Sequence, residues 1–265
     1  MAEIDLPLLM YGVIVGLGAG AVAGILAGLA GVGGGLIYMP VLYACMPVVH
    51  GSVAVYVFAS LVAVIITGFF STRAHWNLGH IDYQAAIQLL PGLIIGAALG
   101  LWCTLRLPEA WVLLALAGLD AWIAFDYGRK PEHRPSGSVS LPLFSGPIGF
   151  VSGMLGIGGG TMLAPLLRRF VALRFAVGTS AFCGLMMALG AVAINMLLEA
   201  DWRDALASPL SFLLGAWLGI VLILPKSTGW SAHLHAMLPE KMLRLALKTV
   251  FASLSAGLLM AAVLV

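Results

Sequence analysis

The chain has 265 residues, of which 62% are hydrophobic and 9% charged, with a formal net charge of +2. Soluble domains carry roughly 25% charged residues, so the composition excludes a soluble globular protein and points to an all-α polytopic membrane protein. The small positive balance gives no basis for nucleic-acid binding, because the basic residues sit in short clusters between apolar runs, where they set topology.

The N-terminus carries Glu3 and Asp5 and no positive stretch, so a cleaved signal peptide is not expected. The first apolar segment, about 6–30, is long enough to span a membrane and carries Gly12, Gly16, Gly20, Gly24 and Gly28, one every four residues. Such a ridge lies on one helix face and lets a second helix approach closely. A glycine cluster follows at Gly31, Gly33, Gly34 and Gly35, and then a short apolar run, about 36–49, that barely crosses the hydrocarbon and reads as a half-helix of a hairpin. The third segment, about 52–71, contains Ser60 and Thr67. A polar loop is expected over 72–82, with Arg73, His75, His80 and Asp82. Gly92, Gly96 and Gly100 again stand four apart in the fourth segment, about 83–104, with Pro91 as an expected kink. The fifth covers about 109–125. The polar, Pro- and Gly-rich stretch 127–140 reads as a linker on the cytoplasmic side.

The second half repeats this plan. Segments at about 141–157 and 161–170 flank a second cluster, Gly156, Gly158, Gly159 and Gly160. The eighth segment spans about 176–198 and the ninth about 205–224. A loop over 225–241 precedes the tenth, about 242–265. Gly24, Gly28, Gly31, Gly33, Gly34, Gly35 and Pro40 recur as Gly149, Gly153, Gly156, Gly158, Gly159, Gly160 and Pro165, a shift of about 125 positions. The expected organisation is therefore a first membrane repeat over 1–126, a linker over 127–140 and a second repeat over 141–265.

With the N-terminus outside, every basic residue except Arg106 and Arg203 falls on the cytoplasmic side. Five segments per half is an odd number, so the second repeat starts on the opposite side from the first. The expectation is two inverted-topology repeats with glycine-interrupted helical hairpins, giving 8–10 membrane segments with both termini in the periplasm. Inverted repeats with broken helices are the architecture of secondary transporters.

The run after each cluster, Leu36 onward and Thr161 onward, begins a helix with free N–H groups and the positive end of its dipole, which is an anion-binding device. Adjacent glycines let an oxyanion come close to the backbone. The candidate substrate-binding residues are Gly33, Gly34, Gly35, Leu36, Gly158, Gly159, Gly160 and Thr161, with the hydroxyls of Ser60, Thr179 and Ser180 as a second line. Asn195, a further polar side chain of the eighth segment, joins them. Each hydroxyl could instead satisfy a local carbonyl. No carboxylate is read in mid-segment, so no buried proton-relay acid is expected. Cys45, Cys103 and Cys183 read as small buried hydrophobes without the paired spacing of a zinc or redox site. The Gly31–Gly35 run lacks dinucleotide-fingerprint spacing, and there is no P-loop. An intramembrane enzyme would need a nucleophile with a base at depth; Ser180 and Cys183 have no His or Asp partner within a segment. The chain reads as a non-enzyme with no cofactor.

The chain resembles the sulfite exporter TauE/SafE family of bacterial membrane transporters. The resemblance rests on the Ala-Gly-x-x-Gly-x-Gly-Gly-Gly run ending at Gly35, on Gly153-x-x-Gly156-x-Gly158-Gly159-Gly160, on Pro40 and Pro165, and on Ala176-Val177-Gly178-Thr179-Ser180. It covers nearly the whole chain. It implies transport, usually export, of small sulfur-containing anions such as sulfite or organosulfonates across the bacterial inner membrane, with the glycines, Thr179 and Ser180 on the substrate side. In the first half Phe58-Ala59-Ser60 stands where Gly-Thr-Ser would match, which makes the two sides of the site unequal. The partners expected are the anion, membrane lipid, a co-transported proton or sodium ion, and a second copy in a homodimer. The competing readings are an anion channel, an uptake permease for another small oxyanion or carboxylate, and a non-transporting assembly subunit.

Overall fold

The computed structural model describes residues 4–30, 34–46, 53–126, 141–167, 170–171, 173–198, 202, 206, 209–237 and 240–264. Among them all regular structure is α-helical: α1 (Leu6–Ala30), α2 (Gly35–Cys45), α3 (Ala54–Asn77), α4 (Tyr83–Thr104), α5 (Glu109–Asp126), α6 (Leu141–Leu155), α7 (Gly160–Leu167), α8 (Leu173–Leu198), α9 (Leu210–Met237) and α10 (Glu240–Leu264). Long apolar runs with few charges must satisfy their backbone internally, and helices do so. Five of the described helices, α1, α3, α4, α8 and α9, are long and apolar enough to cross a membrane. α2 and α7, with 11 and 8 residues, are roughly 16 and 12 Å long, about half a hydrocarbon core. Large apolar side chains such as Ile14, Ile87, Trp111, Leu197 and Val263 are exposed on the outer surface, as a lipid-facing wall requires.

The glycine ridges decide how the helices pair. Gly12 and Gly16 of α1 lie against the backbone of Phe212 and Ala216 of α9, and Gly215 and Gly219 of α9 lie against Leu9 and Val13 of α1. The same mutual arrangement joins α4 and α6, where Gly96 and Gly100 meet Gly146 and Phe150, and Gly149 and Gly153 meet Leu93 and Ala97. Backbones this close leave no room for a methyl group at these positions, which is the packing role that small residues have in membrane helices. The other principal packings are α5 with α10, α3 with α8, α4 with α8, α3 with α9, α2 with α3 and α7 with α8. Exchanging each helix with the one five later maps these packings onto one another.

Several boundaries and one interior residue differ from the sequence expectation; α2, for one, ends at Cys45 and not near 49. α3 runs through the expected polar loop to Asn77 and stops only at Gly79, which takes φ 66°. There His80 N donates to His75 O and Gly79 N to Trp76 O, both at 3.0 Å, a left-handed glycine cap that satisfies the last carbonyls. α8 begins earlier than expected, at Leu173. α9 runs through Pro225 to Met237, so much of the expected loop is helix. The hydroxyls of Thr228 and Ser227 donate to Leu224 O at 2.7 and 3.2 Å in the turn that follows the proline. Finally, α5 does carry a carboxylate within its span. Asp120 is 0% exposed, which corrects the reading that no acid lies in mid-segment.

Candidate functional site

The first helix of the second half ends in a glycine cap. Gly156 takes φ 68° and Ile157 N donates to Ser152 O at 3.1 Å, which terminates α6. Gly158, at φ 72°, redirects the chain, and α7 starts two residues later. Leu163 N donates to Gly159 O at 2.8 Å, so the amides of Gly160, Thr161 and Met162 have no acceptor in their own helix. α2 starts in the matching way. Its N-cap is Gly34, which has no side chain to cap it, and Ile37 N and Tyr38 N share Gly34 O at 3.0 and 3.3 Å.

The two breaks meet. Gly35 lies directly against the carbonyl of Ile157. Beside them opens a cleft of about 40 Å³, on a scale where one water needs roughly 10–15 Å³. Its floor is Gly34, Ile157, Gly158 and Gly160. One wall is the α3 stripe Val64, Thr67, Gly68 and Ser71; the facing wall is the α8 stripe Val177, Ser180, Ala181 and Gly184. Both stripes follow the i, i+3, i+4, i+7 spacing of a single helix face. Among the described residues, no charged side chain lines the cleft.

Of the sequence candidates, the structure brings Gly34, Gly158, Gly160 and Ser180 to the cleft. The hydroxyl proton of Ser180 goes to Val177 O at 2.9 Å. Gly35 and Gly159 are behind the lining, against Ile157 and Met187 respectively. Leu36 is buried in the core. Ser60 donates to Gly156 O at 2.6 Å, so it tethers the glycine cap of the other half to α3. Thr161 donates to Gly158 O at 3.1 Å. Thr179 accepts from the backbone N–H of Asp82 at 2.9 Å, and Asp82 in turn caps α4 by accepting from Ala85 N at 3.0 Å. Asn195 Nδ2 donates to Ala98 O and Ala191 O at 3.1 and 2.9 Å, fastening α8 to α4. Gly33 lies outside the described residues.

Sequence reasoning did not single out Gly68, Ser71 or Gly184. The available signal was helical spacing: Gly184 stands one turn beyond Ser180, and Ser71 one turn beyond Thr67. Thr67 itself is held from both sides. Its hydroxyl donates to Ala63 O at 2.9 Å and pairs with Tyr38 Oη at 2.6 Å, which locks α2 to α3 beside the cleft.

The profile of the family described as "Sulfite exporter TauE/SafE" matches residues 16–259. The chain belongs to the TauE/SafE family. This TauE/SafE chain is 30% identical to a "Probable membrane transporter protein" of Haemophilus influenzae over 239 residues, 85% of this chain and 89% of the relative. It is 26% identical over 231 residues to YunE of Bacillus subtilis, also described as a probable membrane transporter protein, covering 76% of this chain and 83% of that one. A shorter match of 98 residues, at 29% identity, is to TsaS of Comamonas testosteroni, described as a "Probable inner membrane transporter protein"; it covers 35% of this chain and 40% of that one. No solved structure matches. The TauE/SafE membership and the apolar helices make this a multi-pass membrane transporter and not an enzyme.

Proposed function

We propose that this TauE/SafE transporter is a secondary exporter of small sulfur-containing anions such as sulfite or organosulfonates. The anion is held by backbone N–H groups at the starts of α2 and α7 and released by alternating access of two inverted repeats. The observation that carries this reading is the convergence of two uncapped helix starts, at Gly34 and Gly160, on one cleft that has no charged side chain among its described lining residues. Two positive helix ends there offset an anion's charge without a fixed cation to trap it, which suits a ligand that must also leave. The exchange symmetry of the helix packings supports repeats over 1–126 and 141–265, and the charge distribution supports an inner-membrane protein with both termini in the periplasm.

Transport by purified protein in liposomes tests the reading, with sulfite, sulfate, thiosulfate, taurine, isethionate, sulfoacetate and acetate offered in turn. Saturable movement of a sulfur anion is the expected result. A folded protein that moves only acetate, or none of the panel, would overturn the substrate assignment. A compartment-specific reporter on the N-terminus tests the orientation, and a cytoplasmic signal would refute it.

A further inference from the structure

The buried acid of α5 has no task in the site described above. Asp120 is 0% exposed, and neither carboxylate oxygen has a hydrogen-bond partner. It stands roughly 16 Å along the helix from Glu109 and about 9 Å from Asp126, away from both ends. Ala117, three residues earlier and so on the same face, accepts a hydrogen bond from Ser255 of α10 at 2.9 Å. The face that bears Asp120 is therefore the one turned to α10. The residues one turn away on α5, Leu116, Ile123 and Ala124, are buried and apolar, and α10 contributes the buried apolar Phe251 and Leu258 to the same core.

Among the described residues, no ionisable side chain is paired with Asp120. α6, which also packs on α5, has no ionisable residue, and Tyr43 of α2 reaches α5 at Glu109, the start of the helix. On α10 the charged residues are Lys248, which is exposed, and Glu240, Lys241 and Arg244 nearer its start. On α5 itself Glu109 and Asp126 stand at the ends. An ionised carboxylate with no partner in an apolar seam costs many kcal/mol. A hard metal cation would need several further oxygens, which this seam does not supply, whereas a proton needs none.

We propose that Asp120 is a proton-carrying group of the transporter, loaded while the α5–α10 seam is closed and unloaded when the seam admits water; this rests on the transport reading above. On unloading, the carboxyl O–H bond breaks, its electron pair stays on the carboxylate and the proton passes to water; loading is the reverse. Because Asp120 lies outside the anion cleft, its removal spares anion binding and abolishes the proton link.

Two measurements on the full-length protein test this. Infrared spectra of wild type and Asp120→Asn, recorded in lipid, read the C=O band of a neutral carboxylic acid. The band is expected in wild type and absent in the variant. In liposomes, Asp120→Asn is expected to keep exchange of labelled anion at near wild-type rate and to lose accumulation driven by a pH gradient. Asp120→Leu, which suits the apolar seam, replaces Asn if that variant folds poorly. No band lost on substitution, or undiminished pH-driven accumulation in a folded variant, overturns the proposal, as does wild-type accumulation driven by sodium alone. A wild type that shows the band and moves no anion upholds the proton site and refutes the transport reading instead.

Discussion

Gly184→Ala separates an anion site at the α7 start from mere packing. A methyl group at Gly184 would sit 3.2 Å from Gly160 N and 3.7 Å from Gly159 N. An acceptor oxygen bound to those amides needs the same space, at about 2.7–3.2 Å. The methyl therefore excludes the anion from one or two hydrogen bonds while meeting no backbone atom closer than 3.2 Å. Bonds to a charged partner contribute about 1.5–3 kcal/mol each, so losing one weakens binding roughly ten- to a hundred-fold. Folding should hold, since Ala gains up to about 1 kcal/mol over Gly by helix propensity. The assay is the concentration dependence of sulfite uptake into liposomes, with melting in detergent measured in parallel. The expected result is a KM raised ten-fold or more at unchanged melting temperature. An unchanged KM in a well-folded variant would remove the α7 amides from the site. Gly34 is a poorer probe, because a methyl there would come within 2.6 Å of Ala23 Cβ.

Other positions test the scaffold. Gly16→Ala drives a methyl into the Ala216 backbone; overpacking of this kind costs about 1–3 kcal/mol, and the yield of folded protein on size exclusion should fall, whereas Gly118→Ala, with nothing within 4 Å, should leave it unchanged. Ser60→Ala strips the donor from the buried Gly156 carbonyl, at a cost of about 1–3 kcal/mol, read as a lower melting temperature. Gly79→Ala forces a side chain into the left-handed region, worth roughly 1–2 kcal/mol; hydrogen exchange at the end of α3 should accelerate with transport unaltered.

Much of the fold was legible because its determinants are local. Hydrophobic run length set the segments, and four-residue glycine spacing marked the faces that α1 and α4 bury. The ends of α3 and α9 were harder. Residues 72–77 are mostly polar, yet a helix can carry them at a membrane surface until a glycine able to take positive φ arrives, and Gly79 is that glycine. Pro225 suggested a stop, but membrane helices tolerate an internal proline, and α9 runs through it. At the site, the glycine clusters announced the breaks, but not which neighbours face them. Thr179 and Ser180 are adjacent in sequence and therefore point about 100° apart on a helix, so Ser180 lines the cleft while Thr179 anchors the start of α4. Asp120 was missed because a single acid barely lowers the apolar character of an 18-residue run.

The partnership of α1 with α9 also bears on how the protein is made. The glycine face of α1 is complete as soon as α1 leaves the ribosome, but Ala216, against which Gly16 rests, is synthesised about 200 residues later. At roughly 5–20 residues per second that is a wait of about 10–40 s. Through that interval the groove of α1 stays in lipid or against an insertion factor, as does the groove of α4 until α6 follows. A nascent chain halted after α5 should therefore hold its helices loosely and be open to proteolysis, and one released past α9 should close.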